Sequence, residues 1–442
     1  MLRKTLIALC LSTLALSAVA VTPKSLPDRM VDSLASSMKV VYLDGRPDSE
    51  AVRRADVDSL REKIAHFYYD QFRAFSDPAS PYFLFMSKDA QLAMGIGGCV
   101  RMRGYYDWGG AIPAAGFAPM LIPMTPDPAK MRHFDTTPSG STLFFRVLGR
   151  MKTLGDYQLY IEANFNGYQG RDFHLKKAYA QINDVTVGYA NSTFSDPAAL
   201  PPTVDAQGPA NKVSPTAVLV RYMPVIRQKW VLAASVETPS APSFAPDGTS
   251  VGKVDNWLPD FAAFVQYQWD RSAHLRLSGV IRTLSYRDLL TQTNVNRAGW
   301  GVQLSSTGHI LPALTYYATL NYGRGIAGLG GDLAIGNYDL VPDPDTPGRL
   351  YAPRSYGWCF GLQYNILHNL FVSASASQTR YLPSHTVAPS EYRYGIASDI
   401  NIFYNLTPRI QVGAEFDWGL RADADGHHRA ARRIGAMCQF SF

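Results

Sequence analysis

Arg101 and Arg103, then Arg146, Arg150 and Lys152, then Arg276 and Arg282 are basic residues set an even number of positions apart. In an extended chain, positions two apart share one face, so each group can present its charges as a stripe. A guanidinium is a planar fork that matches carboxylate and phosphate oxygens, and a stripe of them along a narrow aqueous path favours anions. Covalent and metal chemistry is poorly represented. The run Gly323 to Gly328 reads GRGIAG and fits the dinucleotide pattern, but it ends an extended segment in a glycine-rich loop with no helix after it. Asp343-Pro344-Asp345 is a fragment of a calcium loop without the remaining ligands, and His427-His428 reads as a polar loop. No G-x-S-x-G, H-E-x-x-H or P-loop occurs, so neither a cofactor nor a metal is expected.

Those stripes exist only if strands carry them. From Leu92 onward the apolar period is two. In the last segment Ile434, Ala436, Cys438, Phe440 and Phe442 alternate with Arg433, Gly435, Met437, Gln439 and Ser441. Before it, Ile410, Val412, Ala414, Phe416, Trp418 and Leu420 alternate with Gln411, Gly413, Glu415, Asp417 and Gly419. Working backward, strands are expected near 92–107, 139–152, 155–166, 172–183, 185–191, 214–223, 228–238, 260–270, 273–286, 296–308, 313–324, 353–365, 368–380, 391–405, 408–420 and 430–442. Tight connections at Leu154–Asp156, Asn183-Asp184, Asp270–Ser272, Ile366–His368 and Leu406-Thr407 alternate with long ones at 109–138, 192–213, 239–259, 325–352 and 381–390. Short turns at one end and long loops at the other belong to a transmembrane antiparallel barrel, here of about sixteen strands. An even count leaves both chain ends on the periplasmic side.

A soluble sandwich would bury one face of each strand and keep the other polar. Here the apolar face continues around every strand, flanked by Tyr106, Trp108, Tyr157, Trp269, Tyr404, Trp418 and Phe442, and Tyr and Trp favour a membrane–water interface. The expected fold class is therefore all-β, a transmembrane barrel over 89–442 preceded by a short periplasmic helical segment. With the apolar face toward lipid, Arg101, Arg103, Arg146, Arg150, Lys152, Arg221, Arg276 and Arg282 point inward, and Lys176 joins them. Inward acids are fewer: Glu162, Asp399, Glu415 and Asp417. An arginine on the lipid face near the midplane would cost about 2–4 kcal/mol. Two readings stay open: the surplus charge selects anions, or the arginines pair with Glu162, Glu415 and Asp417 and brace the wall.

The N-terminus begins with Arg3 and Lys4, continues as an uncharged apolar run and closes on Ala18-Val19-Ala20, a Sec signal peptide (1–20) expected to be cleaved after Ala20. Its removal lowers the formal charge of +6 by two. Residues 21–88 form a periplasmic segment with an amphipathic helix at 49–75, where Leu60, Ile64, Phe67, Gln71 and Phe75 fall at three- and four-residue steps. Beyond the signal, Cys99, Cys359 and Cys438 are an odd number without C-x-x-C, so no disulfide framework or zinc site is indicated.

One stretch is more specific. A basic strand HLKKAY (174–179) is followed by VGYANSTFSDP (187–197), LPPTVD (200–205), Gly208-Pro209, VRY (220–222) and VETP (236–239). This pattern resembles the DcaP-like porins of the Gram-negative outer membrane, strongly over 140–240 and as general barrel character over 90–442. The resemblance implies a homotrimer of sixteen-stranded barrels, a third outer loop folded into each pore, and passage of small anionic organic solutes. Phe442 is similar to the terminal signal that barrel assembly machinery reads. Many members carry a periplasmic coiled coil; 49–75 departs from clean heptads. The long connection 192–213 is the candidate constriction: Pro197, Pro201, Pro202, Pro209 and Pro215 stiffen it and can fix Asp196 and Asp205. An ordinary outward loop is the alternative.

The function expected is passive diffusion of small hydrophilic solutes, favouring anions such as carboxylates, across an outer membrane whose lipid contacts the barrel. The competing reading is a structural or adhesive barrel with a closed pore. An enzymatic barrel would need a Ser–His or Asp–His pair near one rim, and no convincing constellation is present; nothing points to nucleic acid.

Overall fold

The structure, a computed structural model of the chain, describes residues 39–42, 83–86 and 92–442, the last without 111, 113, 114, 152, 154, 167–169, 228, 240–243, 245–247 and 271. Ala20, the helix expected at 49–75 and Lys152 lie outside the described residues, as does the side chain of Arg150.

Sixteen antiparallel strands close into one barrel. They are β1 Leu92–Trp108, β2 in two pieces (Arg132–Thr137 and Thr142–Met151), β3 Gly155–Asn166, β4 Asp172–Ile182, β5 Val185–Asn191, β6 Thr216–Tyr222, β7 Trp230–Glu237 and β8 Asp260–Asp270. The circuit continues with β9 Ala273–Asp288, β10 Thr293–Leu311, β11 Leu314–Arg324, β12 Arg354–Leu367, β13 Leu370–Leu382, β14 Tyr392–Thr407, β15 Ile410–Asp423 and β16 His428–Ser441. Closure comes from β16 against β1, in register from Ser441↔Cys99 to Arg432↔Trp108. Below that seam Phe83–Met86 pairs antiparallel with Ala93–Ile96, and Lys39–Tyr42 lies parallel to it.

The period of two is realised as two environments. Val100, Ile281, Ile400 and Ile434 are each more than half exposed on the outer face, while Arg282 and Arg433 beside them are only 1% exposed. Fully burying such aliphatic side chains is worth about 1.5–3 kcal/mol each, so a band of them facing outward demands hydrocarbon rather than water. Tyr106, Trp269 and Tyr404 stand on the same outer face. Among the described residues Cys99, Cys359 and Cys438 are free.

At one end the hairpins are tight. Asp270↔Ala273, Leu311↔Leu314, Leu367↔Leu370 and Thr407↔Ile410 close two-residue turns, each after a one-residue register shift. The Asn183-Asp184 turn uses a left-handed Asn183, φ 49°, a conformation asparagine tolerates. At the other end lie loop 1 (109–131), loop 3 (192–215), loop 4 (238–259) and loop 6 (325–353). The second strand departs most from the sequence reading. It begins at Arg132, so loop 1 is shorter than 109–138. It breaks at 138–141, where Pro138 has no N–H to donate and Gly140 takes φ +85°. The outer connections after β3, β9 and β15 are also short.

Ile400 lies mid-strand between Ala374 and Phe416 and is 58% exposed. Ile400→Arg is expected to destabilise the bilayer-inserted barrel by about 2–4 kcal/mol, read as the unfolding midpoint in lipid vesicles. The same change near a rim should cost about 1 kcal/mol or less.

Candidate functional site: the lumen and its constriction

Loop 3 enters the barrel rather than projecting from it. Phe194, Ala199 and Ala210 have no exposed surface. Its first anchor is Asp196, whose Oδ2 meets His274 Nε2 at 2.8 Å and accepts the Ser305 hydroxyl at 2.5 Å. The Arg276 guanidinium stands 3.5 Å from the same carboxylate, donates to Gln266 at 2.8 Å and Ser195 O at 3.1 Å, and lies 4.2 Å over the Phe264 ring. Arg276 and His274 bring the Asp196 carboxyl well below the usual range, outweighing a burial penalty that alone would raise it. Further on, Pro202 O accepts from Asn401 at 2.9 Å, and Glu415 accepts the Val204 and Asp205 amides at 2.6 and 2.5 Å. Asp205 in turn accepts the Phe117 amide of loop 1 at 2.9 Å and faces Arg433 at 3.4 Å. Arg433 holds Asp107 with two bonds of 2.6 and 3.0 Å and stacks 4.1 Å over Tyr105. The return limb bonds to the wall through Ala210 to Ser377 and Asn211 to Thr319, then bridges Gly330 of loop 6 at Val213. Gly361 leaves the room this requires: a Cβ there would sit 2.7 Å from Pro201.

These contacts fall mainly on β8 to β16, with Asp107 and Tyr105 of β1 reached across the closing seam. The opposite arc, β1 to β6, carries the basic side chains. Arg101 is half-buried and donates to Gln439 at 2.7 Å. Arg103 donates to Ser139 O at 2.7 Å. Arg146 lies 4.6 Å over the Tyr160 ring, and Arg221 donates to Asn191 O at 3.3 Å. Glu162, with no exposed surface, is bracketed by Lys176 at 2.7 Å and Lys177 at 4.0 Å. From loop 3, Lys212 faces the same arc, within electrostatic reach of Lys176 and Arg103; burial pushes its ammonium down and Asp205 offsets this.

Arg276 and Arg282 point inward, yet neither meets open water. Arg276 is sealed under Asp196, and Arg282 sits between Asp260 and Asp339 at 3.5 and 3.2 Å. They hold loops 3 and 6 in place. Asp399, Glu415 and Asp417 all face inward; Glu415 is spent on loop 3, and Asp417 stands opposite Arg433 in register. Lys177 and Arg433 are site residues that the sequence reading did not single out. A bulge between Glu162 and Ala163 brings both Lys176 and Lys177 to the inner face; the signal was a three-residue step between the outward residues Leu175 and Ala178.

No family model matches the chain, and no curated protein matches it in sequence. Among solved structures, the outer membrane channel DcaP of Acinetobacter baumannii matches with a TM-score of 0.67 at 19% identity, over 80% of this chain and 98% of that one. The fold is that of DcaP. OmpT, an outer membrane protein of Vibrio cholerae, matches with a TM-score of 0.51 at 8% identity, over 80% of this chain and 98% of that one. Its loop L8 deletion mutant gives 0.50 at 9% identity over 80% of this chain and 100% of that one. At these identities the likeness establishes the barrel; the lumen chemistry must come from this chain's own residues.

Two outcomes follow. Arg433→Met leaves Asp107 and Asp205 buried without their guanidinium, a loss on the order of 3–5 kcal/mol. Loop 3 should then become protease-sensitive within 192–215 and the unfolding midpoint should fall, with Arg433→Lys intermediate. The second concerns Asp332 of loop 6, whose carboxylate accepts from Met120 N at 3.2 Å and Tyr392 Oη at 3.1 Å. Burial pushes its carboxyl up to about 7, against the pull of those two donors. Its unfolded value is about 3.9, so the contact contributes in full below about pH 4 and weakens as pH rises toward about 7. Hydrogen exchange at 119–122 and 331–335, corrected for intrinsic rates, should be faster at about pH 8 than at about pH 5, and Asp332→Asn should flatten the difference.

Proposed function

We propose that the chain is an outer-membrane porin through which small hydrophilic solutes diffuse passively, with a preference for organic anions such as carboxylates. The observation that carries this reading is the surplus of cations toward the β1–β6 arc, where Arg101, Arg103, Lys176 and Lys177 of the wall and Lys212 of loop 3 stand against Glu162. On the other side Asp196 and Asp205 tie down loop 3, and Glu415 accepts its amides. Partly desolvated guanidinium and ammonium groups lower the electrostatic barrier for anions and raise it for cations, and the fork of Arg103 suits a carboxylate. Export by a Sec signal, assembly through Phe442 and association into homotrimers complete the proposal; the last two rest on the resemblance to DcaP-like porins.

In a planar bilayer with a salt gradient, the reversal potential should report anion selectivity. Arg103→Gln with Lys212→Gln should lower the flux of a dicarboxylate by about tenfold while changing that of a neutral sugar less than about twofold. Cation selectivity, or equal effects on both solutes, would remove the anion preference. Absence of open conductance steps would favour the closed structural barrel.

A further inference from the structure

Near the long-loop rim of β11 to β13 the outer face carries a cluster of charge that lipid tails cannot satisfy. Arg324 ends β11, Arg354 opens β12, and the register sets them directly opposite each other; both are exposed. Side chains so paired are rooted about 4.5–5.5 Å apart, where like charges repel. One rung toward the membrane centre, Arg380 of β13 pairs with Tyr356 on one side and Tyr394 on the other, its guanidinium 5.5 Å from the Tyr394 ring centre. Arg324 donates from Nε to Ala352 O at 2.9 Å; Arg380 Nε has no hydrogen-bond partner. Among the described residues no carboxylate lies within 4.0 Å of these three guanidinium groups. The contrast with the lumen is sharp: Arg276, Arg282 and Arg433 each face an acid.

The surface beneath is graded. Trp300 lies opposite Arg324, with its ring 5.8 Å from that of Tyr322. Further toward the centre of the band, Leu320 and Phe360 are 50% and 48% exposed. Cation, amphipathic ring and aliphatic surface therefore follow one another down a single strip of β10 to β13. This sequence of zones matches a phosphorylated glycolipid, whose phosphate, sugar and acyl chains descend in the same order.

We propose that the Arg324–Arg354–Arg380 strip is a docking site for a phosphorylated glycolipid of the outer leaflet. The paired forks of Arg324 and Arg354 hold a phosphate, the rings of Trp300 and Tyr322 pack on the sugar, and Leu320 and Phe360 receive acyl chains. A second copy docking through the same strip by a two-fold axis would bring the same unneutralised arginines together. A phosphate removes the repulsion between Arg324 and Arg354 instead. The inference rests on the outer-membrane reading above, because it needs the long-loop end of the barrel to face the outside.

The test uses delipidated full-length protein in detergent, titrated with bisphosphorylated lipid A and followed by native mass spectrometry. Arg324→Gln with Arg354→Gln should weaken retention by at least about tenfold, the loss of one charge-assisted contact. Lipid A stripped of its phosphates should bind wild type and variant equally poorly. Equal retention by the variant, or of the stripped lipid by wild type, overturns the site. Displacement of the lipid by low concentrations of inorganic phosphate alone would mark a free-anion site and overturn it too, as would dimers lost in the variant. The heat-modifiable gel shift establishes that the variant folds, and each single substitution should show a partial loss. Conductance separates the two proposals: the variant should conduct as wild type does, since these side chains lie outside the lumen. A wild type that binds the lipid and carries no current would refute the pore and leave this site standing.

Discussion

A peptide N–H or C=O in hydrocarbon has no water to turn to, and each unmet group costs several kilocalories per mole. A sheet meets that demand only by closing on itself, which here means joining β16 to β1 along ten register pairs. Once the sheet is closed and its outer face must be apolar, every second side chain is committed to the interior whatever its chemistry. The wall arginines within the apolar band are inward because the alternative is charge in lipid. Interior crowding with cations is thus a consequence of closure, and the rest of the architecture deals with it.

It deals with it in two ways. On the β9–β16 arc, loop acids neutralise wall arginines, and the same ion pairs fasten the loops: Asp196 with Arg276, Asp339 with Arg282, Asp205 with Arg433. Truncating one partner of such a buried pair strands the other, so loop position and wall charge are energetically one feature. On the β1–β6 arc loop 3 supplies Lys212 rather than another acid; Lys176 and Lys177 share Glu162, while Arg101 donates to Gln439 and Arg103 to a carbonyl. The wall is therefore polar in the directional sense, and the uncovered arc is the basic one.

Most of the barrel was legible because its signal is local. Apolar residues every second position locate a strand and assign its faces without reference to any partner, and all sixteen strands fall where that pattern puts them. What failed to show was non-local or broke the period. The interruption of β2 lies in a Pro-Ser-Gly-Ser stretch that reads equally well as the end of a loop. Lys177 hides behind a bulge that resets the parity of β4. The importance of Arg433 depends on Asp107 lying opposite it across the closing seam, over three hundred residues away in sequence. Loop acids such as Asp339 carry no periodic mark at all, so the division of the arginines into loop anchors and lumen lining needed the folded chain.

The central claim is that neighbouring residues of one strand meet lipid and water in turn. The most direct measurement places spin labels one at a time at Val100, Arg101, Met102 and Arg103 in a cysteine-free background, in bilayers. Collisions with oxygen and with a water-soluble nickel chelate are then compared at each position. The account predicts oxygen maxima at Val100 and Met102 and nickel maxima at Arg101 and Arg103. Equal accessibility at all four positions, or nickel maxima at Val100 and Met102, would contradict it.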